Sequence, residues 1–422
     1  MAAKHHGEVI VAGGGIAGLT MALTLHEIGV PVRVLESVAE VKPLGVGINL
    51  QPNAIRELQQ LGLGDELERM AVRTKNVSMY SKHGGRIWTE QRGIWAGYRW
   101  PQYSVHRGHL QMLLYEAVLD RLGAAALQTG ARVTSFENTA SGVAVGVDWA
   151  SGESTFESAA SLIGADGIHS AIRRQMYPAE GAPVWAGSVM WRAATESRPF
   201  LDGATMVFIG NDDQKFVAYP ISQPDPQTGL AIVNWIAELR YDPSKGFNKE
   251  DYTRRASVDE FLPQFENWEF DWIDLAALAN GADRIYEYPM VDRDPIPSWT
   301  DGRVTLMGDA AHVMYPVGSN GASQAIVDAR KIGRALIDHD DVANAMASYE
   351  SEMLPLASNM VLRNRAGGPD HIMQMVEDRC GGVFDDITDV MSNDELDAYA
   401  AKYKTTAGFA ITELNDSAPI IS

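Results

Sequence analysis

The chain has 422 residues, of which 45% are hydrophobic and 21% are charged, a balance typical of globular proteins. Because this length exceeds the size at which one hydrophobic core keeps growing, we expect more than one domain. The formal net charge of −20 argues against nucleic acid and anionic membrane surfaces as partners, since both would repel the protein. The sequence has no run of about 18 apolar residues long enough to span a bilayer.

The cysteine count and the first residues bear on the compartment. Cys380 is the sole cysteine, so no intrachain disulfide can form, which suits a reducing environment. No apolar stretch with a small-residue cleavage site precedes the first strand-like run at residues 8–12. We therefore expect a cytoplasmic protein. For the oligomeric state we expect a monomer or a homodimer.

The first elements form a βαβ pattern. Residues 8–12 predict a buried strand, residues 16–28 a helix with small and apolar residues on one face, and residues 32–36 a second strand. Between the first strand and the helix, residues 13–18 read Gly-Gly-Gly-Ile-Ala-Gly and satisfy G-x-G-x-x-G. The motif in this position predicts a dinucleotide site at the edge of a parallel sheet.

Each fingerprint position has a physical role. Gly13 allows the tight turn, Gly15 lets a pyrophosphate approach the backbone, and Gly18 lets the helix pack closely on the strand. Ile16 and Ala17 begin the helix, whose unpaired N–H groups and positive dipole end attract phosphate.

An acidic residue completes the pattern. Glu36 ends the second strand 18 residues after Gly18, where a carboxylate accepts hydrogen bonds from an adenosine ribose and disfavours a 2′-phosphate. The site is therefore expected to hold FAD or NAD. A glycine-rich turn followed by a surface glutamate is the alternative interpretation.

Two later segments carry further motifs. Residues 164–167 read Gly-Ala-Asp-Gly and are followed by Ser170 and Arg173, and residues 308–312 read Gly-Asp-Ala-Ala-His and are followed by Pro316. Together with the fingerprint, these motifs resemble, in order, those of the single-component class A flavoprotein aromatic hydroxylases. The resemblance covers residues 8–365 and is strongest to the phenazine hydroxylases of that family, over residues 44–49, 101–104, 106–108, 288–295 and 318–326.

The resemblance implies an α/β fold with a Rossmann-type, glutathione-reductase-like FAD-binding domain interleaved with a β-rich substrate domain. We assign residues 1–75, 101–184 and 296–365 to the first domain and residues 76–100 and 185–295 to the second. Strand-like runs at 205–210, 216–219 and 230–236 support the second domain, and a strand at 303–307 with a helix at 322–339 supports the return to the first. Residues 366–422 form a C-terminal extension without assigned chemistry, interrupted at Gly367-Gly368-Pro369 and Gly381-Gly382.

The resemblance also implies contacts to the flavin. Asp309, after Gly308, is expected to hydrogen-bond the ribityl chain, and Pro316 and Gly318 are expected beside the flavin ring. The helix that begins near Gly321 and Ala322 would point its positive end at the flavin. A helix cap is the alternative role for Asp309.

Further cofactor contacts are implied on other segments. Arg107 and Gln111 resemble contacts to the ribityl and phosphate region, and Asp166 resembles a residue that serves both FAD and NAD(P)H. Gly47, with Gly45, resembles the mobile stretch beside the isoalloxazine ring. The alternatives are a surface salt bridge for Arg107, a turn residue for Asp166 and ordinary turn glycines.

The substrate is expected between the flavin and the second domain. Pro316, Tyr219, Trp235 and Met290, together with Trp191, are candidate walls for a flat apolar ring. Ordinary core packing is the alternative for each of them except Pro316. Strand alternation predicts that Arg192 faces away from Trp191, which leaves a substrate carboxylate without an obvious partner.

The implied function is that of an FAD-dependent monooxygenase that uses NADH or NADPH and O2. It would hydroxylate an aromatic or N-heteroaromatic ring, with or without decarboxylation, through a flavin C4a-hydroperoxide. No nucleophilic triad or metal-ligand spacing is evident in the sequence; His312, a conceivable base, is expected to be structural. The alternatives are an FAD-dependent reductase, or another non-oxygenating flavoprotein, of the same fold.

Overall fold

A computed structural model describes residues 6–242, 254–368, 370–406 and 410–422, so residues 1–5 and the predicted helix breaker Pro369 lie outside the described residues. The strands are β1 (Val9–Ala12), β2 (Val32–Glu36), β3 (Gly47–Leu50), β4 (Val72–Arg73), β5 (Asn76–Tyr80), β6 (Arg86–Gln91), β7 (Tyr103–His106), β8 (Leu127–Thr129), β9 (Ala131–Asn138), β10 (Val143–Trp149), β11 (Ser154–Ala159), β12 (Ser161–Gly164), β13 (Val184–Ser197), β14 (Thr205–Gly210), β15 (Gln214–Pro220), β16 (Ala231–Arg240), β17 (Tyr286–Asp292), β18 (Thr300–Asp301) and β19 (Val304–Leu306).

The α-helices are α1 (Ile16–Glu27), α2 (Pro52–Gln60), α3 (Gly64–Met70), α4 (Arg107–Leu122), α5 (Ala171–Met176), α6 (Leu275–Asn280), α7 (Asp309–His312), α8 (Gly321–Asp338), α9 (Val342–Arg365), α10 (His371–Cys380), α11 (Asn393–Thr406) and α12 (Ile411–Asp416). Within the described residues, no helix is long and apolar enough to cross a membrane.

The βαβ start is confirmed. β1 pairs in parallel with β2 and with β12, inside a six-stranded sheet of order β18-β19-β12-β1-β2-β8. All four residues of β1 are buried, as expected for a parallel strand covered on both faces. Helix α1 packs on this sheet and against α8, and a Cβ at Gly18 would lie 1.9 Å from the Gly13 carbonyl oxygen. The predicted close approach of helix and strand is therefore present.

A second sheet has seven strands in the order β17-β13-β16-β15-β14-β5-β6. It joins residues 76–91 to residues 184–292 and is mostly antiparallel, with one parallel pair between β14 and β5. One face packs in an aromatic core that contains Trp191, Phe216, Trp235 and Phe261. The other face meets both the FAD-type domain, where Asn234 accepts from the Gly47 N–H, and helix α10. The α/β fold class is confirmed, and the exact domain boundaries stay a prediction.

The C-terminal extension packs on both domains. Ile372, Met373 and Val376 of α10 pack with residues of β5, β14 and β15, and Ile421 is buried in the core of the FAD-type domain. Gly381 ends α10 in a left-handed conformation, with φ 67°, which agrees with the predicted break at this glycine.

Candidate active site

A groove of about 560 Å³ runs along the carboxyl end of β1. It brings together these predicted cofactor residues: Gly13, Gly15, Glu36, Arg107, Gln111 and Asp166. A second cavity of about 360 Å³ lies between the two domains and shares Gly15, Arg107, Ala165 and Gly167 with the groove. The two spaces together form an extended site of the kind that a dinucleotide requires.

Glu36 is held at the edge of the groove by backbone hydrogen bonds. Its Oε2 accepts from the Gly14 N–H at 2.6 Å, and its Oε1 accepts from the Val38 N–H at 2.8 Å. A carboxylate oxygen has lone pairs to accept more than one donor. Glu36 is therefore fixed in place with capacity to accept from ribose hydroxyls.

Gly15 leaves space where a pyrophosphate would lie. A Cβ built on Gly15 meets no atom within 4 Å, and Gly15 borders both the groove and the cavity. It precedes α1 as an N-cap without any side-chain hydrogen bond, so the first N–H groups of the helix are directed toward this space. An open backbone approach at a helix N-terminus fits the pyrophosphate of FAD.

Helix α4 supplies the two predicted polar residues on the opposite side. The Gln111 amide donates to the Gly14 carbonyl oxygen at 2.9 Å and braces the fingerprint turn. Arg107 begins α4 and borders both spaces. His106 caps this helix, because its Nδ1 accepts from the Gly108 and His109 N–H groups. Burial, with the charges of His109 and Arg107, lowers the pKa of His106 to about 4.

Asp166 has one side-chain oxygen that stabilises the local fold and another that is directed to the groove. Its Oδ2 accepts from the Ala171 N–H at 2.8 Å, while its Oδ1 is buried without a hydrogen-bond partner within the described part of the chain. Burial raises the pKa of this carboxyl, against the hydrogen bonds from Ser170 and Ala171. An orphaned buried oxygen beside the groove marks a place where a ligand donor fits.

Arg173 joins this segment to the Gly-Asp motif. Its Nη1 donates to the carbonyl oxygens of Ala310 and Ala311 at 3.1 and 2.8 Å, and its Nη2 donates to the Asp294 carbonyl oxygen at 2.8 Å. Arg173 is 2% exposed. It therefore fixes the short helix α7, which begins with Asp309.

The Gly-Asp motif borders the cavity at the end where the flavin ring is expected. Asp309 lines the cavity, whereas Gly308 lies behind it with φ 57° and donates its N–H to Asp328 at 2.9 Å. His312 is buried and its Nε2 lies 2.6 Å from Asp328. Burial acts to lower the pKa of His312, but the Asp328 carboxylate outweighs this effect and the pKa is raised. His312 does not line the cavity, so the structure places it among the supporting residues.

The N-terminus of α8 also reaches the cavity. Gly321 and Ala322 line it, and the N-cap Asn320 forms no side-chain cap hydrogen bond. Backbone N–H donors and the positive helix end are therefore available to a carbonyl oxygen or a developing negative charge. Pro316 lines the cavity beside them, whereas Gly318 forms the adjoining turn, with φ 78°, and does not line it.

Gly47 lies where the second sheet meets the FAD-type domain. It lines the cavity and donates its N–H to Asn234 Oδ1 at 2.7 Å. A Cβ at Gly47 would lie 2.6 Å from the Asn234 Cβ, so only glycine permits this approach.

The sheet side of the cavity corrects two expectations. Tyr219 and Met290 line it as predicted, but Trp235 and Trp191 do not. Trp235 alternates on β16 with Asn234 and Ile236 and faces the aromatic core on the far side of the sheet, where its Nε1 donates to Thr195 at 3.0 Å. The assignment of Trp235 to the pocket was wrong, because alternation separates the two faces without saying which one meets the flavin.

Arg192 is the second correction. It does face away from Trp191, and that face is the cavity. Its Nη2 donates to the Gly47 carbonyl oxygen at 3.1 Å, its guanidinium lies 5.8 Å from the centre of the Tyr288 ring, and its Nε is buried without a hydrogen-bond partner among the described residues. A substrate carboxylate therefore has a candidate partner.

Further lining residues were not found from the sequence. Apolar walls come from Met190, Met206, Met314, Tyr315 and Val317, and a buried charged cluster comes from Lys215, Glu238 and Asp370. The latter three lie on three different elements, and no local spacing connects them.

The fold and the two-part site define a flavoprotein. The family model described as "FAD binding domain" matches residues 6–364, and the chain belongs to this family. It is 45% identical over 370 residues to phenazine 1,6-dicarboxylic acid hydroxylase PhzS of Lysobacter antibioticus, covering 85% of this chain and 89% of that protein. It is 31% identical to 3-hydroxybenzoate 6-hydroxylase of Klebsiella oxytoca, covering 86% and 88%.

Solved structures agree at the level of the fold. A salicylate hydroxylase substrate complex superposes with a TM-score of 0.72 at 23% identity and covers 97% of each chain. Klebsiella pneumoniae HpxO complexed with FAD and uric acid superposes with a TM-score of 0.70 at 22% identity, covering 97% and 96%. With these relatives, the chain is an FAD-dependent oxidoreductase of the aromatic hydroxylase class.

Proposed function

We propose that this enzyme hydroxylates the ring of a planar N-heteroaromatic carboxylic acid of the phenazine class, with NAD(P)H and O2 as co-substrates. The observation that carries the proposal is Arg192, an arginine with a buried, unpaired Nε in a largely apolar cavity between the two domains. A guanidinium in such a place binds a carboxylate by paired hydrogen bonds.

The lining of the cavity suits a flat ligand. The volume of about 360 Å³ includes the part lined by Asp309, Gly321 and Ala322 that is expected to hold the flavin ring, so the substrate would occupy only the remainder, on the sheet side. Met190, Met290 and Tyr315 pack together as one apolar cluster along its wall, and thioether groups pack well on ring systems. Such a wall positions the ring and excludes water.

Two sets of comparisons support the phenazine class. The 45% identical relative is named for phenazine 1,6-dicarboxylic acid, and the sequence stretches 44–49 and 288–295 resemble the hydroxylase that acts on 5-methylphenazine-1-carboxylate. When hydroxylation occurs at the ring carbon that carries the carboxylate, CO2 leaves; otherwise the carboxylate is retained.

The chain's own residues have distinct tasks in this proposal. Glu36, Gly15 and Arg107 would hold FAD along the groove and Asp309 would hold it in the cavity; FAD, when bound, would take electrons from NAD(P)H and supply the activated oxygen. The N-terminus of α8 stabilises negative charge at the flavin end of the cavity. Burial raises the pKa of Tyr219 to about 12, against the charge of Arg192 and a hydrogen bond that its hydroxyl oxygen accepts from Arg192. The hydroxyl stays protonated, so its own hydrogen can be donated to the substrate.

The test is turnover by the FAD-loaded enzyme with a panel of phenazine, pyridine and benzene carboxylates. We expect one phenazine carboxylate to accelerate NADH or NADPH oxidation and to be recovered as a hydroxylated product in near-equal amount. Acceleration by benzoates alone, or H2O2 as the sole product with every phenazine, would refute the substrate class.

We also propose that the protein is located in the cytoplasm and is a monomer or a homodimer.

A further inference from the structure

The far end of the cavity contains a charged cluster that the proposed chemistry has not used. Lys215 on β15 and Glu238 on β16 are direct cross-strand partners, and Asp370 is the N-cap of α10 in the C-terminal extension. All three are buried and all three line the cavity. Buried charges at a ligand cavity are costly unless they are paired or bind a ligand.

The cluster lies opposite the flavin end. Tyr219 and Asn234 form another cross-strand pair of the same sheet, and Asn234 contacts Gly47. Lys215 and Glu238 are four residues further along the two strands, which corresponds to about 13 Å at the rise of an antiparallel strand. Arg192 of β13 pairs with Ile236, two residues or about 7 Å along β16 from Glu238, and its Nη2 donates to Gly47 at the other end of the cavity. A ring whose carboxylate binds Arg192 at the Gly47 end therefore extends its opposite edge toward the cluster.

Within the cluster, the two carboxyl groups are not equivalent. Lys215 Nζ lies 2.6 Å from Asp370 Oδ2 but 3.8 Å from Glu238 Oε2. The first distance is a charge-assisted hydrogen bond and the second is too long for one. Asp370 thus is the closer partner of Lys215, and Glu238, which has a side-chain hydrogen bond with Ser188, is the acidic group that Lys215 pairs with less closely beside the ligand space. Burial raises the pKa of Glu238 despite the opposing charge of Lys215.

We propose that Glu238 determines which substituent the substrate carries on the ring edge remote from the flavin. Its carboxyl accepts a hydrogen bond from a donor there, such as an amino, hydroxyl or ring N–H group, and repels a second carboxylate. This inference rests on the proposed function, because it assumes a ring anchored by its carboxylate at Arg192. The C-terminal extension has a role in this proposal, because its Asp370 pairs with Lys215 and so prevents Lys215 from binding an anionic ligand.

The experiment compares three ligands on the FAD-loaded enzyme: phenazine-1-carboxylate, the same compound with an amino group at position 6, and phenazine-1,6-dicarboxylate. Binding is followed by the change in the flavin absorbance spectrum, and turnover by product analysis. We expect the amino compound to bind about tenfold more tightly than the monocarboxylate, the effect of one hydrogen bond to a charged acceptor. The dicarboxylate should bind more weakly than both.

Glu238→Gln should reduce the ratio of two dissociation constants, the Kd of the dicarboxylate divided by the Kd of the amino compound, by about tenfold or more. Glu196→Gln, which removes the same charge from an exposed position on β13 of the same sheet, should leave the ratio unchanged. The wild-type ligand series decides the question even where the Glu238 variant fails to fold.

The outcomes separate the two claims. If phenazine-1-carboxylate is hydroxylated but the dicarboxylate binds as tightly as the amino compound, the inference about Glu238 is overturned and the proposed function stands. An unchanged ratio in Glu238→Gln likewise overturns the inference alone. If no phenazine carboxylate alters the flavin spectrum, the proposed function is refuted, and the inference with it.

Discussion

Replacing Gly15 by alanine separates cofactor binding from folding. Gly15 has φ −78° and ψ −176°, which any residue adopts, and a Cβ there meets no atom within 4 Å. The substitution should therefore leave the apoprotein folded, with a free energy of unfolding unchanged or raised by about 0.4–1 kcal/mol, because alanine has fewer unfolded conformations.

The effect on FAD should be much larger. The added methyl group enters the space shared by the groove and the cavity and prevents the close approach of a pyrophosphate to the backbone. Loss of one or two charge-assisted hydrogen bonds at about 1.5–3 kcal/mol each weakens binding by roughly 3 kcal/mol in total, or more than a hundredfold in Kd.

Gly29→Ala is the matched control. Gly29 has φ 79° and no atom within 4 Å of a built Cβ, and it lies in the turn after α1, away from the groove. This variant should lose about 1–2 kcal/mol of stability, because alanine is strained in the left-handed region, and should bind FAD normally. The assays are fluorescence titration of apoprotein with FAD and thermal unfolding without FAD. Normal FAD affinity in Gly15→Ala would refute the assignment of the groove.

Three further variants test the site. Arg192→Met should raise the Kd of a phenazine carboxylate about tenfold or more and leave that of the carboxylate-free ring unchanged in a flavin spectral titration; equal effects on both ligands would contradict the carboxylate contact. Asp328→Asn removes the partner of buried His312 and should lower the free energy of unfolding by about 3 kcal/mol, measured with denaturant. An unchanged denaturation midpoint would show that the contacts of Asp328 do not stabilise the fold. Because the pKa of His106 falls to about 4 on folding, the unfolded chain binds the proton first, and stability should fall by about 1 kcal/mol, after solvent screening, as pH drops from 6.5 toward 4. His106→Asn should flatten this part of the pH profile of unfolding; an identical profile would exclude His106 as its cause.

The start of the fold was predictable because its signals are local. The strand at residues 32–36 has the predicted bounds, and the first helix ends one residue before the predicted end. The turn between β1 and α1 depends on glycines whose need is steric, since a Cβ at Gly13 would lie 2.4 Å from the Ala165 carbonyl oxygen. Glycine spacing reports such close contacts directly in the sequence.

The substrate side was harder to predict. Alternation along β13 correctly separated Trp191 from Arg192, but the choice of face depends on how the sheet packs on the FAD-type domain. Large aromatic residues favoured the wrong face, where Trp191 and Trp235 instead build the core with Phe261.

The charged cluster could not be predicted from the sequence for a different reason. Asp370 is far along the chain from Lys215 and belongs to an extension to which the sequence assigned no chemistry. Packing of α10 on the second sheet brings the two side chains to 2.6 Å. Such a pair is defined by tertiary structure alone.

The most direct test of the central claim is a single-turnover experiment with isotopically labelled O2. The FAD-loaded enzyme is first reduced anaerobically by NADH or NADPH in the presence of a phenazine carboxylate, and labelled O2 is then admitted. We expect one labelled oxygen atom in the hydroxylated ring for each flavin reoxidised. Flavin reoxidation that yields only labelled H2O2 and unchanged ligand, with every ligand of the panel, would contradict this expectation and favour a non-oxygenating flavoprotein.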